Sequence, residues 1–249
     1  MKSNIVYWSP WELDKTESIA ANILFGEPVP VLKDLGIKYE GAGFLECPAY
    51  INYCKNMFVI KAEMDITFTF DMEKNWMSCT LNSQAFYDRF AVFEKTGTSP
   101  TDGKSRRVTI PSSYLFYSED EMMVESISPF LQGHSVPINF NIVPGTYDIS
   151  KWIRPIECSG QMLSLDEPLK VKRGDALMYL KFIPKDNGKV TLQRETISDE
   201  LLRVTLSCTS VKYVVPRISL ESLYKLAEPL ITLFKKNKRS KCPFRRFWK

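Results

Sequence analysis

Between residues 108 and 195 the chain cannot stay in one kind of element for long. Eight short runs follow one another there, RVTIP, YLFYS, MMVESIS, VPINFNIV, WIRPIECSG, LKVK, ALMYLKFIP and KVTLQRE, with Pro or Gly in or beside most of the gaps. Runs rich in β-branched and aromatic residues, punctuated roughly every 8–12 residues, suit the short antiparallel strands of a sandwich or barrel. Upstream, DITFTFD sets Ile66, Phe68 and Phe70 on one side and Asp65, Thr67 and Thr69 on the other, the period of a half-buried strand. MFVIKAEM reads as the same strand or its neighbour, and WMSCTL as the return of a hairpin. In VKRGDALMYLKF, Gly174 and Asp175 mark a turn before a strand.

The flanks behave differently. Prolines at 10, 28, 30 and 48 break residues 1–56 into short pieces. The expectation is an irregular arm held on the core by Trp8, Trp11, Phe25 and Phe44, with a short helix in DKTESIAANILF. SQAFYDRFAVFEK fits either a helical face or a strand, and TGTSPTDGKSRR, residues 96–107, reads as a long loop. After residue 195 the pattern turns helical. Ser198 precedes Asp199 and Glu200 as an N-cap should. Ser219 precedes a face of Leu223, Ala227, Leu230, Ile231 and Phe234, with Pro229 expected to kink or restart the helix. The fold expected is therefore mainly β (α+β): an arm over 1–56, an antiparallel β-sandwich or jelly-roll-like core over 57–195, and a C-terminal helical segment over 196–234.

Residues 235–249 stand apart. They hold eight basic residues and no acid, and without them the formal charge of +4 becomes −4 for residues 1–234. Lys235, Lys236, Lys238, Arg239, Lys241, Arg245 and Arg246 supply charge, while Phe244, Phe247 and Trp248 supply apolar anchors. Cations attract phosphate, and aromatics stack on bases or fill a protein groove. This stretch is the candidate attachment point for another protein or a nucleic acid; an anionic membrane face and a plain solubilising end are its other readings.

Familiar chemistries find little purchase. His134 is the single histidine, and it lies between Gly133 and Ser135. That removes most metal and triad arrangements. GAGFLE does not continue into a phosphate-binding glycine motif. Glu119, Asp120, Glu121 and Glu125 crowd SEDEMMVES, where a solvated turn is the plainer account and a cation site the sharper one. No cofactor is expected. Six scattered cysteines without a C-x-x-C read as free thiols. MKSNIVYWSPWELDK lacks the apolar core of a secretory signal, and no apolar run approaches the ~18–20 residues of a membrane span. PGTYDISKWIRPIECSG offers the best candidate ligand pocket: Tyr147, Trp152, Arg154 and Glu157, joined by Arg173 from the Gly-Asp turn. There Arg beside Trp suits a carboxylate or phosphate; alternatively Trp152 is core and Arg154 pairs with Glu157 or Asp148.

YWSPW, FLECPAYINYCKNMFVIKAEMDITFTFD, VPGTYDISKWIRPIECSG, VKRGDALMYLKF and ISDELL with SCTS together resemble a family of uncharacterised proteins encoded by large tailed bacteriophages, marine ones included. The likeness covers roughly residues 5–210. Its most specific part is the order Pro155, Ile156, Gly174, Asp175, Tyr179, Leu180, Lys181, Phe182. The resemblance implies a viral origin and a β-rich fold with a Gly-Asp turn, and it carries over no catalytic residue. Two functions are weighed. One is a non-enzymatic phage protein of the host cytoplasm or virion, virion-associated or accessory, that binds a macromolecule through its basic tail. The other is a β-fold protein binding a nucleotide or small anion, either as an enzyme or as a sequestering factor.

Overall fold

The computed structural model describes residues 4–11, 26–38, 43–71, 76–81, 106–133, 135–214 and 218–240. Its elements begin with β1 (Asn4–Pro10), β2 (Val29–Pro30), α1 (Val31–Lys38), a 3-10 turn (Gly43–Glu46) and α2 (Pro48–Tyr53). There follow β3 (Met57–Lys61), β4 (Ile66–Asp71), β5 (Trp76–Leu81), β6 (Arg106–Tyr117) and β7 (Met122–Ile127). Next come α3 (Ser135–Asn139), β8 (Phe140–Ile142), β9 (Gly145–Asp148), β10 (Pro155–Met162) and β11 (Leu169–Val171). β12 (Ala176–Pro184), β13 (Val190–Arg194), α4 (Asp199–Val214) and α5 (Leu220–Ser240) complete the order.

The molecule is mainly β with a few helices. One five-stranded sheet runs β13-β1-β6-β10-β8, a second runs β2-β3-β12-β7-β9, and a three-stranded sheet runs β11-β4-β5. Among the described residues every pairing is antiparallel except β1 with β13.

Burial explains which strands alternate and which do not. In β4, Ile66, Phe68 and Phe70 are buried while Thr67 and Thr69 face outward, as the period-two pattern requires. β6 instead buries both faces. Tyr114 and Phe116 enter a central cluster, whereas Leu115 and Tyr117 enter a second cluster under α4 and α5. β3 divides likewise, with Phe58 and Ile60 to the centre and Met57 and Val59 against α1 and α2. Strands covered on both sides carry continuous apolar runs, which is why YLFY and MFVI show no alternation. Across the centre, the Phe116 and Phe182 rings of the two five-stranded sheets lie 5.4 Å apart. In β12 the register shifts between Ala176 and Met178, so Leu177 and Met178 both reach the central cluster.

Four expectations are corrected here. Residues 1–56 are not wholly an irregular arm, because β1 lies between β13 and β6, with Val6 and Trp8 in the central cluster. Pro10 does not disturb it, since it is the strand's last residue. Phe44, expected to pin the arm, is exposed. RVTIP and YLFYS form one strand. Its partner register steps from Ile156↔Tyr114 to Glu157↔Pro111, so Ser112 and Ser113 bulge out beside a proline that has no N–H to offer the ladder. VPINFNIV begins as the short helix α3. Val136 is buried there, Ile138 is exposed, and the Asn139 side chain accepts from Ser164 N (2.6 Å) and donates to the Ser164 and Glu167 carbonyls. The Gly-Asp turn forms as read: Gly174 has φ +89°, and Asp175 Oδ2 accepts from Lys172 N at 2.8 Å. DKTESIAANILF, SQAFYDRFAVFEK, His134 and residues 96–105 of the expected loop lie outside the described residues.

Candidate functional site

The C-terminal helices are capped as their sequences specify. Leu201 N–H donates to Ser198 Oγ at 3.1 Å, and Ser222 N–H to Ser219 Oγ at 3.2 Å. α5 buries Leu223, Ala227, Ile231 and Phe234 on Leu115, Tyr117, Trp152 and Ile153. Each of the three larger side chains contributes roughly 1.5–3 kcal/mol by burial. Leu230, expected on that face, is 42 % exposed. It falls seven residues after Leu223, about 20° short of two full turns, and the buried stripe drifts the other way through Ile231 and Phe234. Pro229 is exposed, and α5 continues through it.

The last turns of α5 are fastened to the sheet. Lys235 Nζ donates to the Glu119 carbonyl at 3.0 Å, and Asn237 Nδ2 to Glu200 Oε1 at 2.6 Å. Lys238 enters an aromatic cage. Its Nζ lies 3.3 Å from the Tyr7 ring centroid and 4.7 Å from that of Tyr117, two rings stacked at 5.1 Å. The same Nζ donates to Glu195 Oε2 at 2.8 Å and to the Tyr117 hydroxyl at 2.5 Å. Tyr117 in turn donates to Glu195 Oε2. Burial, then the hydrogen bond to the Glu195 carboxylate, pushes the Tyr117 phenol far up, so it stays protonated. The Lys238 side chain is 19 % exposed. Lys235 and Lys238, read from sequence as partner-contacting cations, are thus engaged with the chain itself. Lys236 is exposed on α5, and Arg239 belongs to its last turn. Lys241, Phe244, Arg245, Arg246, Phe247 and Trp248 lie outside the described residues.

The candidate pocket does not assemble as drawn. Trp152 is core, packed under α4 and α5. Arg154 pairs with Glu157 at 3.5 Å and lies 5.6 Å from the Tyr147 ring centroid. Burial of the Tyr147 hydroxyl pushes its phenol up to about 12, against the opposing pull of Arg154. Arg173 belongs elsewhere, in the β11–β12 turn, where its N–H donates to Asp65 Oδ1 at 2.7 Å. Nearby, Lys151 holds Asp148 at 2.9 Å, and the Asp148 N–H donates to the Tyr224 hydroxyl at 2.7 Å. This ties the β9–β10 connection to α5.

Two surface depressions are formed by described residues. A cleft of about 430 Å³ beside α5 sets Glu119, Glu121, Glu221 and Glu228 against Lys151, Lys225 and Lys235. Its charges answer one another: Lys225 pairs with Glu221 at 2.9 Å, and Lys235 caps the Glu119 carbonyl. A groove of about 590 Å³ runs between β2 and β13, with Lys33, Lys55 and Lys189 against Glu27 and an apolar floor that includes Met57, Phe58 and Leu192. Sequence reasoning missed it, because its lysines come from three distant stretches with no shared motif. Among the described residues no group of three or more His, Cys, Asp or Glu side chains could hold a metal. Cys47 is exposed, Cys54, Cys158 and Cys208 are buried, and all four are free. No described helix is long and apolar enough to cross a membrane. No protein-family model matches the chain, and no curated protein matches its sequence.

Proposed function

We propose that the chain is a non-enzymatic bacteriophage protein, virion-associated or accessory and resident in the host cytoplasm or the virion, that binds a macromolecule through the basic aromatic segment following α5. The observation that carries this reading is the cage around Lys238. A helix fastened in its last turns releases the following residues from a fixed point. Lys241, Arg245, Arg246 and Lys249, with Phe244, Phe247 and Trp248, follow that point directly. Cations without aromatics attract without selecting, and the mixture suits a partner that is both anionic and apolar, a nucleic acid or an acidic protein groove. We read the two five-stranded sheets as the faces of a sandwich of jelly-roll type, supported by the Phe116–Phe182 contact between them.

The test deletes residues 241–249 and keeps Lys235 and Lys238, so the platform is undisturbed. The full chain and the shortened chain are compared for binding to single-stranded and duplex oligonucleotides, and in pull-downs from infected-cell lysate, each at two salt concentrations. The full chain is expected to bind with a steep salt dependence that the shortened chain loses. Identical recovery in every condition overturns the reading.

A further inference from the structure

The groove between β2 and β13 sits where two sheets end. β2 is the edge of one five-stranded sheet and β13 the edge of the other. The pairing of β13 with β1 fixes which of its backbone groups are occupied. Asn4 N–H donates to the Lys189 carbonyl and Glu195 N–H to the Trp8 carbonyl, with Val6 opposite Leu192. In a parallel ladder of that register the odd-numbered residues of β13 bond inward to β1, and the even-numbered ones present N–H and C=O outward. Asn56 confirms the phase. Its Oδ1 accepts from the outward Val190 N–H at 2.9 Å, and its Nδ2 donates to the outward Gly188 carbonyl at 2.9 Å. Beyond Asn56, Leu192 turns both of its backbone groups toward the groove.

The opposite wall cannot compete for a strand. β2 is two residues long and ends in Pro30, which has no N–H to donate. The floor between the walls is apolar, and the rim carries three lysines against one glutamate. Lys55 donates to the Asn187 carbonyl, but the Lys33 and Lys189 ammonium groups have no partner among the described residues. This basic rim belongs to a stretch, residues 1–234, whose formal charge is −4. An acidic ligand is repelled by the rest of that body and drawn to this groove.

We propose that the groove is a docking site for an extended acidic peptide segment of a partner protein, added as a strand to the edge of β13 that no described strand pairs. Leu192 supplies the backbone pairing. Alternate apolar side chains of the peptide rest on Met57, Phe58 and Leu192, and its carboxylates meet Lys33 and Lys189. None of the residues that line this groove belongs to the segment after α5, and the proposal does not depend on that segment.

The probe is a fluorescein-labelled alternating Val-Glu octapeptide, titrated by anisotropy against the full chain. Residues 241–249 attract the same charge, so the reading is the difference between variants. The paired reversal Lys33→Glu with Lys189→Glu is expected to weaken binding at least tenfold. Leu192→Pro removes one outward N–H without touching the β1 ladder, and is expected to weaken binding several-fold while the charges remain. Circular dichroism checks that each variant folds. Should Leu192→Pro unfold, a peptide N-methylated at alternate residues carries the same test from the ligand side and is expected to lose affinity equally. A Val-Lys octapeptide is expected not to bind. Equal affinity across all variants overturns the proposal. So does charge sensitivity with no response to Leu192→Pro or N-methylation, which reduces the groove to a patch for anions. Sedimentation with phosphatidylglycerol vesicles that requires Lys33 and Lys189, and that the peptide does not displace, assigns the groove to a lipid surface and likewise overturns it.

Discussion

Single side chains set how the protein meets reagents and pH. Burial pushes the Cys158 thiol from 9.0 up to about 12, and it raises those of Cys54 and Cys208 too. A thiolate is the reacting form, so these groups are shielded twice, by access and by protonation. In the native protein at pH 8, iodoacetamide should therefore label Cys47 and leave Cys158 untouched until denaturant is added, as mapped by mass spectrometry; rapid native labelling of Cys158 would contradict its placement. The same burial links stability to pH. Cys158, and Tyr147 and Tyr179 with phenols pushed from 10.0 to about 12, all hold protons in the folded state that the unfolded chain gives up sooner. The stabilisation is complete below about pH 9, where both states are protonated, and it is lost as pH climbs from there through about 12. Urea midpoints measured from pH 7 to pH 11 should fall only above pH 9. A constant midpoint through that window would refute the burial of these groups. Gly160 carries a different constraint. A Cβ there would sit 2.4 Å from the Phe140 ring and 2.6 Å from the Asn141 carbonyl, backbone of the neighbouring strand. Gly160→Ala is expected to destabilise by roughly 1–3 kcal/mol, read by urea denaturation at neutral pH.

Elements differ in how openly the sequence states them. β4 was legible because one of its faces meets solvent, so Thr67 and Thr69 interrupt the apolar residues. α4 and α5 were legible because Ser198 and Ser219 announce them. β1 was not. Val6 and Trp8 face the central cluster while Tyr7 faces the cage under α5, so no alternation appears, and Pro10 looked like a breaker when it is only an end. The cage itself was illegible, since Tyr7, Tyr117, Glu195 and Lys238 come from four elements and no local spacing joins them. Its energetic role can be measured. Lys238→Met keeps an unbranched stem against the two rings and removes the charge, leaving the Glu195 carboxylate short of a donor. With both groups partly reached by solvent, the cost should be on the order of 1–2 kcal/mol. Hydrogen exchange should quicken over residues 234–240 and stay unchanged in β12. Unaltered exchange at the end of α5 would show that the cage does not hold it, and would remove the support on which the proposed presentation of residues 241–249 stands.

At the scale of the whole molecule the order of layers decides what can be reached. α4 and α5 cover one face of the β13-β1-β6-β10-β8 sheet, and α1, α2 and the 3-10 turn cover the outer face of the other. Helices thereby cover one broad face of each five-stranded sheet, and among the described residues the seam where β2 and β13 end is left open as a groove. The same layering sorts the residues offered as a candidate pocket: Tyr147, Arg154 and Glu157 meet, Trp152 lies beneath the helices as its alternative reading had it, and Arg173 stays in the β11–β12 turn. The pairing of β1 with β13 has a further meaning for how such a chain is made. Asn4 meets Val190, and the stacked Tyr7 and Tyr117 receive Lys238 from α5. A ribosome delivers residues in order, so β1 emerges long before its parallel neighbour and far earlier than the helix that roofs it. Closing so wide a loop is entropically slow. Until the last strand arrives, one margin of β1 stays unzipped, a sticky interval in the life of every newly made copy during which a chaperone, or another nascent chain, has something to hold.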